Sequence, residues 1–181
     1  MGDVQLTVRP AVPMGFLVAA PAIAAMGVVD AASASGSDEL GIYWPHDVVV
    51  AAEGTPVCAV SARGGYDDQG VFVRIDLTPS DGASALPAEA NLEDAVRARF
   101  DQWERDVSNG RSAGGAWASF LSDYFDREPR LGKRVEVIYP NGRVAATGTF
   151  AGLDVWGRAT VTLDSGRQLE FSPEQAGIRL A

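Results

Sequence analysis

Nineteen consecutive residues, Ala11 to Val29, carry no charge, and any fold open to this chain must find a dry place for them. A helix beginning after Pro13 would be apolar on every side, so it must be enclosed rather than laid on a surface. Pro21 should kink or restart it. The run is also long enough to tempt a membrane assignment, and Ala32-Ser33-Ala34 mimics a signal-cleavage site. Against those readings, the run is rich in Ala and Gly, is broken by two prolines and is poor in the large aliphatics that drive insertion. A leader would also need a basic start, whereas Arg9 stands alone there after Asp3. The expectation is a buried core helix, with a signal or anchor as the alternative.

The flanking segments supply what could enclose it. Val4-Gln5-Leu6-Thr7-Val8 alternates apolar and polar and reads as a strand ended by Arg9-Pro10. Ser33 to Glu39 is a loop. A strand through Trp44-Pro45 follows, then a turn at Glu53-Gly54-Thr55-Pro56 and a strand over Val57 to Arg63. Gly64-Gly65 and Asp67-Asp68-Gln69-Gly70 read as a hairpin loop before a strand from Val71 to Leu77. In that strand Val73, Ile75 and Leu77 share one face, and Arg74 and Asp76 the other. Pro79 to Ala90 is a loop of small residues. Asn91 then caps a helix with Leu92, Val96, Phe100, Trp103 and Val107 at helical spacing, and Glu93 and Asp94 in its first turn. After a Gly/Ser loop, Trp117, Phe120, Leu121 and Tyr124 mark a second helix.

From Leu131 the pattern changes to short alternating runs, at Val135 to Ile138, Val144 to Phe150, Ala159 to Leu163 and Gln168 to Phe171. Asn141-Gly142, Asp154 to Gly157 and Asp164-Ser165-Gly166 separate them. Closely spaced short strands with glycine turns predict a small β-barrel. The boundary falls near Arg127 to Gly132, giving an α+β unit over 1–128 and a barrel over 129–181.

Charge and scarce residues exclude several functions. With 15 cations against 24 anions the net charge is −9, which argues against nucleic acid or an anionic membrane as partner. Cys58 is the single cysteine and His46 the single histidine, so there is no internal disulfide and no Cys- or His-rich metal site. No nucleophile triad, paired-carboxylate arrangement or phosphate-loop spacing stands out. With a single cysteine and so no disulfide pattern, the cytoplasm is the expected compartment.

One stretch brings chemistry-bearing groups to a fixed spacing. In Gly41-Ile42-Tyr43-Trp44-Pro45-His46-Asp47 the proline fixes its own φ and holds its predecessor extended. An indole, an imidazole and a carboxylate are thereby presented at a rigid strand corner. Two readings stay open: the wall of a ligand pocket, or a structural corner with Trp44 packed, Asp47 capping a turn and His46 partly exposed.

The order of these features resembles the biotin protein ligase family. That family carries a Lys-Trp-Pro-Asn-Asp motif, a Lys-Leu-Ala-Gly strand, a strand ending Gly-x-Gly-x-Asn, two helices and a C-terminal SH3-like barrel. Tyr43-Trp44-Pro45-His46-Asp47 answers the first motif, Pro56-Val57-Cys58-Ala59 falls at the second and Arg74-Ile75-Asp76-Leu77-Thr78 at the third. Gly132-Lys133-Arg134-Val135-Glu136-Val137, followed by Gly148, Gly152-Leu153-Asp154 and Gly157, resembles the start of the family's barrel. The resemblance implies a class II synthetase-like mixed sheet with helices, plus the barrel. It also implies a pocket drawing on Trp44, His46, Asp47, Arg74, Asp76 and Arg179.

The departures bear on chemistry. The family joins biotin's carboxylate to ATP and passes the acyl group to an acceptor lysine, so cations and N–H groups must offset crowded anionic charge. Its first matched lysine is Tyr43 here and its second is Pro56, which lacks even a backbone N–H. Its two glycines are Arg74 and Asp76, which are expected to pair with each other and cancel. Lys133 is the only lysine, and the family's Gly-Arg-Gly-Arg loop, which precedes the first matched strand, is expected to be missing.

Three functions follow. The first is a ligase-like pseudoenzyme that forms no biotinyl-adenylate alone and binds a small acidic ligand or a protein. It requires no cofactor, although biotin or ATP could bind. The second is one subunit of a split biotin or lipoate protein ligase, completed by a loop-bearing partner chain. The third is a structural or interaction protein. An acceptor domain and a homodimer are further candidate partners.

Overall fold

A computed structural model describes residues 2–37, 39–80 and 83–181. Strand β1 (Val4–Val8) leads through a 3-10 segment at Met14–Ala19 into helix α1 (Ala20–Ala34). Strands β2 (Leu40–Tyr43), β3 (Asp47–Val50), β4 (Pro56–Asp67) and β5 (Gly70–Pro79) follow, then helix α2 (Glu89–Ser108) and the single turn α3 (Leu121–Phe125). The chain ends with β6 (Arg134–Ile138), β7 (Val144–Leu153), β8 (Ala159–Thr162), β9 (Gln168–Phe171) and β10 (Gly177–Leu180). The architecture is mixed α+β with two antiparallel sheets, ordered β1-β5-β4-β3-β2 and β10-β6-β7-β8-β9.

The uncharged run becomes the core. Met14–Ala34 has the length and apolarity of a membrane span, yet eleven of the fifteen residues of α1 are buried. Pro21 sits in the first turn of α1, where its missing N–H costs nothing, and so it restarts the helix. Sheet strands β2 to β5 cover one side of α1 and α2 covers the other. Gly27 allows that crossing, because a Cβ there would stand 2.7 Å from Val96 Cα. Where charge returns, Asp30 is engaged by Arg99 and Arg127, tying α1 to α2 and to the turn after α3.

The alternation read in β1 and β5 holds residue by residue. Val4, Leu6 and Val8 are buried on β1 and Val73, Ile75 and Leu77 on β5, paired in antiparallel register. Other expectations change. Gly64 and Gly65 are strand, not loop: they pair with Val73 and Phe72, and only Asp68-Gln69 turns. A Cβ on the first would meet the tip of Leu17 and on the second the Phe72 ring, each at 2.5 Å. Helix α2 begins at Glu89, ahead of Asn91, with Ala88 before it and no side-chain cap, so Glu89 is its first-turn acid. Trp117 and Phe120 belong to turns before a five-residue helix, since their backbone is drawn toward the second sheet by the Trp117 N–H donating to Val155 O at 3.0 Å.

The small SH3-like β-barrel expected over 129–181 is not confirmed, because the C-terminal sheet does not close. Its end strands, β9 and β10, share no pairing among the described residues. The free side of β10 is used differently: Ile178 O accepts a hydrogen bond from the Arg130 guanidinium.

Candidate functional site

The Trp44–Asp47 corner joins β2 to β3 through a cis Trp44-Pro45 peptide bond. Trp44 is 2% exposed, and each of its polar groups is taken inside the protein. Its backbone N–H donates to Glu128 Oε2 at 2.7 Å, its indole Nε1–H donates to Gly157 O at 2.8 Å, and its carbonyl accepts from Arg130 Nη2 at 3.3 Å. Tyr124 Oη–H donates to Pro45 O at 3.2 Å, and burial pushes that phenol's pKa up. The Arg130 guanidinium lies 3.9 Å from the centre of the Tyr43 ring.

Glu128 and Arg130 flank the expected domain boundary, and both side chains are buried, at 0% and 1% exposure. Glu128 Oε1 accepts from the Arg130 N–H and Nε–H, both at 2.9 Å. A buried pair survives only when its remaining donors and acceptors are filled, and here Trp44 and Ile178 fill them. The corner is therefore a joint between the sheets.

The other residues expected at the site are distributed. His46 is half-buried and opens onto a groove of about 420 Å³ shared with Leu17, Pro21, Ala62, Trp117, Trp156 and Glu174. Ala62 pairs with the buried Ile75, so this groove meets the inner side of the first sheet. Asp47 is exposed. Arg74 and Asp76 lie on the outer side, where Arg74 stands opposite Arg63 across the strands. Arg74 and Asp76 form no ion pair with each other: Arg74 stacks 5.6 Å from the Phe72 ring and Asp76 accepts from the Ser61 hydroxyl at 3.4 Å. Arg179 is in the second sheet, paired with Glu136 at 2.6 Å. Trp44, His46 and Asp47 come together; Arg74 with Asp76, and Arg179, stand elsewhere.

Two buried side-chain polar atoms lack a protein partner among the described residues, His46 Nδ1 and Trp117 Nε1. Both residues line the same groove. Burial depresses the His46 pKa, with Asp47 opposing, so the imidazole is neutral at neutral pH. The spacing of Trp117 suggests a helix stripe, and nothing in it marks an unpaired indole. Among the described residues no cluster of His, Cys, Asp and Glu is arranged to hold a metal ion.

Neither a protein-family model nor a curated protein matches the sequence. The three-dimensional comparison does find matches. Biotin protein ligase from Aquifex aeolicus, in complex with biotin and ATP, superposes with a TM-score of 0.69 over 99% of this chain and 79% of that one, at 15% identity. This chain is folded like a biotin protein ligase. A crystal structure of the Aquifex ligase gives a TM-score of 0.68 at 14% identity, and its apo structure 0.68 at 15%, each over 99% of this chain and 83% of the other. At that identity the likeness is one of fold, and it agrees with the feature order that carried the resemblance to the ligases.

Proposed function

We propose that this chain is a ligase-like binding module that does not form biotinyl-adenylate on its own. The observation that carries the reading is how the Trp44 corner is occupied. Its N–H, carbonyl and indole N–H are all committed to Glu128, Arg130 and Gly157, leaving no backbone donor of Trp44 to offset anionic charge. On the outer face of the first sheet, Arg74 and Asp76 stand at the positions matched to glycines in the ligase motif. Side chains there fill the space along which a ligand would approach the backbone. Adenylation brings several anionic oxygens together, and each missing preorganised donor costs several kcal/mol of transition-state stabilisation. In this reading the C-terminal sheet answers the family's SH3-like domain, the division falls near residue 128, and the module works in the cytoplasm.

Biotin-dependent exchange of pyrophosphate into ATP tests the reading, since the purified chain should give none. The split-enzyme alternative predicts exchange only when a partner chain bearing a Gly-Arg-Gly-Arg loop is added. Calorimetry with biotin, alone and with ATP, reports binding without turnover.

A further inference from the structure

We propose that the outer face of the first sheet holds a small ligand by its phosphate group, between the guanidiniums of Arg63 and Arg74. This rests on the binding-module reading above and names the chemistry of what is bound. Thr7, Arg74 and Arg63 stand in register on three adjacent strands, and all three are exposed on the side away from the core. Like charges directly opposite each other destabilise a sheet. Most arginines of this chain hold a carboxylate, but among the described residues Arg63 and Arg74 form no ion pair.

The acids nearby are engaged with other groups. Asp67 accepts from both ends of the Arg9 guanidinium at 2.8 Å, Asp76 accepts from the Ser61 hydroxyl at 3.4 Å, and Glu93 lies 3.7 Å from Arg97. Asp67 and Asp76 lessen the positive charge of the row without closing on either free guanidinium. Arg74 is propped 5.6 Å from the Phe72 ring, which Arg9 also approaches at 5.7 Å. Open space flanks it: a hollow of about 480 Å³ with Gln5, Asp76 and Arg97, and one of about 390 Å³ with Arg9 and Phe72, both bounded by Thr7. Guanidinium donors form a planar fork that fits phosphate oxygens. A dianion offsets both charges at once, where a carboxylate offsets one, and the Thr7 hydroxyl adds a donor in the same row. The net charge of −9 limits the ligand's size, since the rest of the surface repels an extended polyanion or an anionic membrane. The phosphate therefore comes on a small molecule, and it meets side-chain tips, because Arg74 and Asp76 keep it off the backbone.

The test is calorimetric titration of the full chain at pH 8 with inorganic phosphate and with acetate, chloride holding the ionic strength constant, alongside melting temperatures. Phosphate should bind saturably, at least five-fold more tightly than acetate, and should raise the melting temperature. Arg63→Gln and Arg74→Gln should each weaken phosphate at least five-fold and remove that rise. Without phosphate their melting temperatures should be unchanged or higher, because the repulsion is relieved. Arg167→Gln, at an exposed arginine on the turn before β9, should leave phosphate affinity unchanged. Equal affinity for acetate, no saturation with phosphate, or an unchanged affinity in Arg63→Gln and Arg74→Gln would overturn the site. So would tighter binding to vesicles carrying phosphatidylinositol phosphate than to inorganic phosphate. Pyrophosphate exchange together with Arg63-dependent phosphate binding removes the non-adenylating reading and leaves the site; absence of both removes the site alone.

Discussion

Glu128 and Arg130, two residues apart across Pro129, form a buried ion pair at 2.7 Å that links the Trp44 corner to the second sheet. The pair belongs to the joint on which both sheets depend. Removing one partner strands the other charge in a dry site, which typically costs 3–5 kcal/mol. Glu128→Ala should therefore lower the free energy of unfolding by about that much in urea titrations. Glu128→Leu combined with Arg130→Met should cost markedly less than Glu128→Ala, because no lone charge remains.

Gly157 makes a second prediction. Its φ is +80°, and a Cβ there would fall 2.4 Å from Trp117 Cε2. Gly142 has the same φ with nothing within 4 Å of its would-be Cβ. Gly142→Ala should cost roughly 1 kcal/mol from backbone strain alone. Gly157→Ala should cost about 1–3 kcal/mol more from overpacking. Thermal unfolding of the two variants side by side separates strain from collision.

His46 predicts a pH dependence. Burial lowers its folded-state pKa below the ordinary value of about 6.5. Between the two values the unfolded chain binds the proton and the folded chain does not, so stability falls as pH drops through 6.5 toward the folded pKa. One group contributes a slope of at most about 1.4 kcal/mol per pH unit. Subtracting the pH–stability curve of His46→Gln from that of the wild type should leave this acid-side loss. A flat difference curve would contradict it.

Cys58 is buried beside the Thr78 backbone, and desolvation pushes its thiol up to about 11. It should therefore resist alkylation by iodoacetamide at pH 8 in the folded protein and react promptly in urea. Mass spectrometry under both conditions checks this.

What could be read from the sequence was whatever repeats with the period of an element. The β1 and β5 alternation, the Leu92-Val96-Phe100-Trp103 stripe and the dry run before Asp30 each carried enough residues in phase to fix their burial. Most of the order of elements was legible for the same reason, and with it the likeness to the ligases, but the break between β2 and β3 at Trp44-Pro45 and the strand β10 were not. The Glu128–Arg130 joint was not, because two charges beside a proline in a polar turn look like any solvated linker. Their burial comes from Trp44, more than 80 residues earlier. Gly64 and Gly65 misled in the other direction: glycine pairs usually mark turns, but here they pair with Val73 and Phe72 within a long hairpin. The small β-barrel expected from four short runs is not confirmed: a fifth strand, β10, joins β6, it shares no pairing with β9 among the described residues, and its Ile178 carbonyl accepts from Arg130.

The most direct measurement is biotin-dependent ATP–pyrophosphate exchange by the purified chain, with Aquifex aeolicus biotin protein ligase run in parallel. The account predicts that the ligase exchanges label while this chain stays at the level of the reaction without biotin. Biotin-dependent exchange by this chain alone would contradict it.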